Sequence, residues 1–361
     1  MSDLPGATPS HGGLVDDELA AHGLRADDVL DLSVNVNPYG PCPAVRRALA
    51  AARVDRYPDP RATAARRAFA ERAAVPLERV VLGNGAVDLM WTLARARLGQ
   101  GDRVLVVEPA FSEMAAAAAR AGATIVEHRT MPERDFAIDL AALDGAIASL
   151  APSLVYACSP QNPSGVCTPL AAFEDLARRH PASLFVVDLS FLSLSAHHAE
   201  LDALREPRVV WLRSLTKDHS LAGLRVGAAI APARVVDAIE RERPPWSVNA
   251  LAQAAVVATT SDEAARFVDE SRARLLADRE ALSAALRAQG LHVHPSDTVY
   301  VLASLGESMA ATNLRRRLLA RHRVLVRDAA SFGLPHHVRI AARAATHRER
   351  LVAALRQELT Q

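Results

Sequence analysis

Seven short runs rich in Val, Ile and Leu, most of them followed by a stretch of helical periodicity, constrain this chain more than any other feature. The runs fall at 80–82, 104–107, 124–127, 154–157, 184–188, 209–212 and 226–230, with helical patterns at 86–98, 112–121 and 169–180 between them. Strands that are apolar throughout must be covered on both faces, and strand–helix alternation joins parallel neighbours. The pattern predicts an α/β fold whose large domain has a three-layer arrangement around a seven-stranded, mainly parallel sheet. A Pro-rich break follows at Arg243-Pro244-Pro245-Trp246. Beyond it, helical patterns over 249–258, 262–289, 308–321 and 346–358 mix with strands near 298–303, 323–327 and 337–340, which predicts a smaller α+β domain. Residues 1–49, with His11-Gly12-Gly13, Asn37-Pro38-Tyr39-Gly40-Pro41 and a short helix near 15–22, read as an arm packed with the small domain. The expected boundaries are 1–49, 50–245 and 246–361.

Composition excludes several classes of function. The chain has 361 residues, is 50% hydrophobic and 23% charged, and carries a formal net charge of +1. A near-neutral balance supports neither a nucleic-acid nor a membrane-surface partner. No apolar run approaches the ~18 residues of a membrane span. The first residues lack a cationic start followed by an apolar stretch, so no signal peptide is expected. Three cysteines (Cys42, Cys158, Cys167) without C-x-x-C spacing fit a reduced, cytoplasmic protein with no disulfide framework. The His197-His198, His292-x-His294 and His336-His337 pairs lack supporting ligand spacing. They are expected in loops or in solvent, and no metal site is expected. Arg315-Arg316-Arg317 reads as one exposed helix face.

One residue stands apart from this background. Lys217 is the sole lysine, and every other cationic side chain is an arginine. A guanidinium stays protonated and cannot condense with a carbonyl, whereas a lysine amine can. In an open α/β sheet, ligands sit beyond the carboxyl ends of the strands. The chemistry-bearing residues of this chain fall there: Gly83-Asn84-Gly85, Glu108-Pro109-Ala110-Phe111, Asn162 within Ser159-Pro160-Gln161-Asn162-Pro163-Ser164-Gly165, Asp188, and Ser214-Leu215-Thr216-Lys217.

These residues match what a lysine-bound pyridoxal 5'-phosphate (PLP) requires. The ring nitrogen needs an acidic partner, and Asp188 at a strand end can serve. The phosphate needs amides at a helix start, hydroxyls and a cation, which Gly85-Ala86-Val87, Ser214, Thr216 and Arg225 can supply. The phenolic oxygen needs a donor such as the Asn162 amide, and Phe111 can cover the ring face. Read singly, Asp188 could be a helix cap, Gly85 a turn glycine and Phe111 a core side chain. Their order after successive strands is what favours the cofactor.

Asn162-Pro163-x-Gly165, Asp188, Ser214-x-Thr216-Lys217 and Gly223-Leu224-Arg225-x-Gly227 together resemble the fold-type-I PLP enzymes of the aminotransferase superfamily, over nearly the whole chain. Within it the chain is similar to histidinol-phosphate aminotransferases and to L-threonine-O-3-phosphate decarboxylases of cobalamin biosynthesis. His11-Gly12-Gly13 before Asn35-Val36-Asn37-Pro38, Arg56-Tyr57-Pro58-Asp59, Trp211-Leu212-Arg213-Ser214, Pro245-Trp246-Ser247-Val248-Asn249-Ala250 and Phe191 lean to the decarboxylase. The aminotransferase group usually has Tyr where this chain has Phe191. The usual Asp-Glu-Ala-Phe/Tyr string reads Asp188-Leu189-Ser190-Phe191 here, so the Glu is missing.

The resemblance implies a homodimer in which Tyr57 reaches the cofactor phosphate of the neighbouring subunit. It also implies a small phosphorylated amino-acid or amine substrate held by His11, Gly12, Asn35, Asn162, Arg327 and Arg339. Decarboxylation of L-threonine O-3-phosphate is the leading expectation. The alternative is a histidinol-phosphate-type aminotransferase of class I/II, and a third reading is a PLP-fold binding module that has lost catalysis.

Overall fold

The computed structural model describes residues 11–204 and 206–359. Its strands are β1 (Leu30–Asp31), β2 (Val80–Gly83), β3 (Arg103–Glu108), β4 (Thr124–Arg129), β5 (Leu154–Cys158), β6 (Leu184–Asp188), β7 (Val209–Ser214), β8 (Gly227–Ile230), β9 (His292–Val293), β10 (Tyr300–Ser304), β11 (Val324–Leu325), β12 (Arg327–Asp328) and β13 (His337–Ala341). The chain forms two compact units. The larger holds Val36–Asn162 and Val166–Arg274; the smaller holds the described residues up to Asn35, Pro163–Gly165, and the chain from Leu275 onward. Residues 36–49 and 246–274, read above as arm and small domain, therefore group with the larger unit. The helix Pro43–Ala51 lies in the first of these stretches. Its Pro43 sits at a helix start, where a fixed φ fits and no N–H is needed.

The larger unit is built on a seven-stranded sheet in the order β2-β8-β7-β6-β5-β3-β4. Strand β8 runs antiparallel to both neighbours, and the remaining pairings are parallel. Side chains alternate along each strand, so each face has its own core. Leu82, Val107, Ala157, Val187 and Trp211 lie in one apolar cluster with the helices Thr63–Arg72, Leu170–Arg179 and Ala250–Thr259. Val106, Tyr156, Cys158, Val186 and Leu212 lie in the other with Ala86–Arg97, Glu113–Arg120 and Ala233–Glu242. Cover on both faces is the physical reason these strands carry almost no polar residue until their ends.

The smaller unit has a four-stranded sheet, β12-β13-β10-β9, and the short parallel pair β1-β11. Val293, Val301, Ala303, Val338 and Ile340 pack into one cluster with Leu314, Leu318, Leu351 and Leu355 of the helices Ala311–His322 and Ala345–Leu359. The alternate residues of the same strands are largely polar. His292 and His337 both lie opposite Ser304, and Arg339 lies opposite both Leu302 and Arg327.

One surface expectation fails in this unit, and one loop histidine is buried rather than solvated. His294 is buried, and its ring stacks on His337 at 5.3 Å between centroids. Burial and the neighbouring imidazoles push His337 down to about 4. The Arg315-Arg316-Arg317 run is not one solvated face. Arg315 is half-buried and pairs with both oxygens of Glu18 at 2.5 and 2.7 Å, and Arg317 lies 3.3 Å from the buried Glu358. Period and position, rather than residue type, turned these cations inward. Among the described residues, no helix is long and apolar enough to cross a membrane.

Candidate active site

Register gathers the expected cofactor residues at one edge of the large sheet. Gly83 and Ser214 lie on either side of Gly227, so the ends of β2 and β7 flank the start of β8. After Gly83 the chain turns sharply: Gly85 takes φ +86° and starts the helix Ala86–Arg97. A side chain at Gly85 would bring its Cβ within 2.6 Å of Arg225 Nη2, and one at Gly227 would reach within 2.5 Å of the Ala86 nitrogen. Both glycines thus leave room that a side chain would occupy, beside the amides of Ala86 and Val87 and under an exposed arginine. The Ser214 and Thr216 hydroxyls, both buried, share a hydrogen bond of 2.6 Å. Amides, two hydroxyls and a guanidinium around a glycine turn form a donor set suited to a phosphate dianion.

Lys217 sits in the short helix Leu215–Asp218 that begins where β7 ends. Its backbone carbonyl accepts from the Asn37 N–H at 2.9 Å, and the Asn37 amide donates to the Asp218 carbonyl at 2.9 Å. Its Nζ lies 6.0 Å from the centroid of the buried Phe191 ring. The Lys217 cation is close enough to Asp188 to favour its ionised form.

Asp188 ends β6 and is 6% exposed. Burial raises its carboxyl above the usual range. The Ser190 hydroxyl and N–H, the Tyr156 hydroxyl and Lys217 act in the opposite direction. Its carbonyl accepts from the Ser159 N–H at 3.0 Å, which ties the start of the Asn162 loop to the same strand end. Further along that loop Gln161 donates its N–H to the Val166 carbonyl at 2.8 Å and its amide to Thr130 at 3.0 Å. Asn162 follows, 8% exposed. Glu108, raised by burial, accepts from the Ala110 N–H at 2.6 Å and shapes the turn into Phe111. The Phe111 ring is half-buried against the same core cluster as Tyr156 and Cys158. A buried acid, a neighbouring primary amine, a partly open aromatic face and an anion cradle are the groups PLP requires, and the chain supplies them on one side of one sheet.

The expected substrate residues lie largely in the smaller unit. Arg339 (β13) and Arg327 (β12) are register partners, 6% and 4% exposed. Arg339 Nη2 donates to the Ser33 carbonyl at 2.6 Å, and Arg327 Nη2 to Ser331 Oγ at 2.6 Å. Each guanidinium lies 5.5 Å from an aromatic centroid, Tyr300 and Phe332 respectively. Burial, with a further push from Arg327, takes Arg339 down to about 10. Ser33 also links the arm to this place: Gly13 N donates to its Oγ at 2.9 Å, and a Cβ on Gly12 would meet its carbonyl at 2.7 Å. The amide of Asn35 is 2% exposed, and neither of its polar atoms has a partner among the described residues. His11 is exposed.

Tyr57 is 81% exposed, its ring 4.9 Å from Trp246, beside a cavity of about 460 Å³ lined by Arg53, Arg56, Asp59 and Gln253. Sequence reasoning missed the partners of Asp188. Tyr156 and Cys158 lie on the neighbouring strand, and Cys158 is directly opposite Asp188. The usable signal was two polar side chains spaced by two residues in an otherwise aliphatic strand.

Comparison with known proteins agrees with this geometry. Residues 27–357 match the aminotransferase class I and II family. Histidinol-phosphate aminotransferase 2 of Ralstonia nicotianae is 34% identical over 351 residues, covering 94% of this chain and 91% of that protein. An aromatic amino acid aminotransferase of Thermobifida fusca is 36% identical over 285 residues, covering 76% and 77%. The crystal structure of a histidinol-phosphate aminotransferase from Sinorhizobium meliloti, in complex with pyridoxal-5'-phosphate, superposes with a TM-score of 0.87 at 23% identity, covering 99% of this chain and 95% of that one. The chain therefore belongs to the aminotransferase class I and II family of PLP-dependent enzymes.

Proposed function

We propose that this protein transfers the amino group of a phosphorylated amine of the histidinol-phosphate type to a 2-oxo acid. The observation that carries the reading is Lys217, the sole lysine, beside the buried Asp188 in a chain whose relatives bear that name. The relatives favour transamination over the decarboxylation that the arm motif and Phe191 put first.

Bound PLP supplies the electron sink that lets a bond at the amine-bearing carbon break. Lys217 Nζ would take the proton from that carbon as general base and, as general acid, would deliver it to the carbon that was the cofactor's aldehyde, so that the amino group can stay behind when the oxo product leaves. Asp188 holds a proton on the ring nitrogen. The Gly85, Ala86 and Val87 turn, Ser214, Thr216 and Arg225 hold the cofactor phosphate, Asn162 donates to the phenolic oxygen, and Phe111 covers the ring. Arg327 and Arg339 bind the oxyanions of the two substrates, with Asn35, Gly12 and His11 completing that contact. Tyr57, too exposed to serve a core, reaches the cofactor phosphate of a second copy in a homodimer.

Decarboxylation of L-threonine O-3-phosphate is the second reading. It is favoured by Phe191, whose ring faces Lys217 without a hydroxyl to donate. Incubating the holoenzyme with histidinol phosphate and 2-oxoglutarate should yield glutamate. Release of CO₂ from L-threonine O-3-phosphate, with no glutamate in the first reaction, would replace transamination by decarboxylation. Absence of both, with no yellow colour after PLP is added, would leave a binding module.

A further inference from the structure

We infer that Ser190 and Tyr156 are positioning residues that keep the Asp188 carboxylate ionised and turned toward the cofactor ring nitrogen, a role that rests on the assignment of Asp188 above. Ser190 donates both its N–H, at 2.9 Å, and its hydroxyl, at 2.5 Å, to Asp188 Oδ1. Tyr156, on the adjacent strand β5, donates its hydroxyl to Oδ2 at 3.4 Å. The two carboxylate oxygens are therefore held from two different elements, which fixes the plane of the group as well as its charge.

Tyr156 is fully buried among aliphatic side chains, so its hydroxyl must find its partners there. The Cys158 thiol donates to the Tyr156 oxygen at 3.4 Å, and the Phe111 N–H donates to the Cys158 sulfur. Donation then runs one way, from the loop of the ring-covering Phe111 through Cys158 and Tyr156 to Asp188. With its oxygen accepting from the thiol, the phenol has its proton free for the carboxylate. Burial pushes the Cys158 thiol up to about 12, so it stays a neutral donor throughout.

The need for such a clamp follows from the site. A carboxyl 6% exposed on the face that carries Val186 and Leu212 is driven toward its neutral form. Neutral Asp188 would offer a proton where it has to accept one. The groups acting on it are Lys217, Ser190, Tyr156 and Cys158, with Glu108 acting on Cys158.

The test loads wild-type protein, Ser190→Ala, Ser190→Thr, Tyr156→Phe and Asp188→Asn with PLP labelled with ¹⁵N in the ring. It reads the nitrogen resonance against pH, the PLP dissociation constant, and the unfolding temperature of each apoprotein. Ser190→Ala should move the resonance toward its unprotonated position and weaken PLP about tenfold, the loss of one charge-assisted hydrogen bond. Tyr156→Phe should act in the same direction and less, because its contact is longer. Ser190→Thr should restore the wild-type resonance. Wild-type resonance and affinity in both hydroxyl deletions, with Asp188→Asn altered, would overturn the clamp and spare the role of Asp188. An unaltered Asp188→Asn would overturn both. Altered affinity accompanied by an unmoved resonance would reduce Ser190 and Tyr156 to packing residues and end the proposal.

Discussion

The two units bury charge in opposite ways. At the end of β6 a carboxylate lies beside an amine and receives donors from two elements, so attraction and hydrogen bonding oppose the cost of burial, which still leaves the carboxyl raised. In the smaller unit Arg327 and Arg339 face each other across adjacent strands, and both guanidiniums are depressed by burial. Asp328 and Asp31 act against that depression, and under the function proposed above an arriving anion would add to their effect. The carboxylate has an amine and hydroxyl donors about it, whereas each guanidinium has a like-charged neighbour as well as an acidic one. The larger unit should thus be sensitive to loss of a charge, and the smaller one to loss of an anion.

Lys217→Ala should give the largest effect, lowering turnover about 10⁴-fold or more, with no visible absorbance band when PLP is added. A retained band would show that another group holds the cofactor and that the Asp188 region does not depend on this amine. Arg339→Met should raise KM for the phosphorylated substrate about hundredfold, since a bidentate contact to an oxyanion is lost. The apoprotein of that variant should unfold at the same temperature as wild type or above it. A steep fall would mean that the hydrogen bond to Ser33 outweighs the repulsion from Arg327, which would break the contrast.

Inorganic phosphate at millimolar concentration should raise the apoprotein's unfolding temperature by a few degrees, roughly as expected for a ligand well above its Kd. Arg327→Met should halve the rise, and an equal rise in both proteins would place the anion elsewhere. The smallest effect concerns His337. Its folded value of about 4 lies below the unfolded 6.5, so the unfolded chain binds more protons between those values. Stability is therefore full above pH 6.5 and is lost as pH falls toward 4. His337→Gln should flatten that acid limb, as read by unfolding temperature at pH 5 against pH 7.

The legible part of the molecule was local. The apolar runs announced the sheet because a strand covered on both faces admits few polar residues, Tyr156 being one that finds partners there, and Trp211 or Val186 reads the same in any register. Lys217 stood out because the chemistry of an amine has no substitute among arginines, and its role is part of the function proposed above. The Pro-rich break at 243–246 misled, since a proline pair interrupts a helix without ending a compact unit, and the chain up to Arg274 stays with the larger one. His294 lies in a loop just past β9, as expected, and its burial comes with the stacking on His337 rather than from residue type.

The amino-acid order alone determined the α/β alternation and pointed to the family, and it set the candidate site residues, Lys217 among them, after the strand ends. Only the folded chain decided that Tyr156 and Ser190 share Asp188, that Gly227 underlies the Gly85 turn, and that Arg327 meets Arg339. Those neighbours are set by inter-strand register and by depth below the surface. Depth also fixes how strongly each charge is felt, and neither quantity is written in any short stretch of sequence.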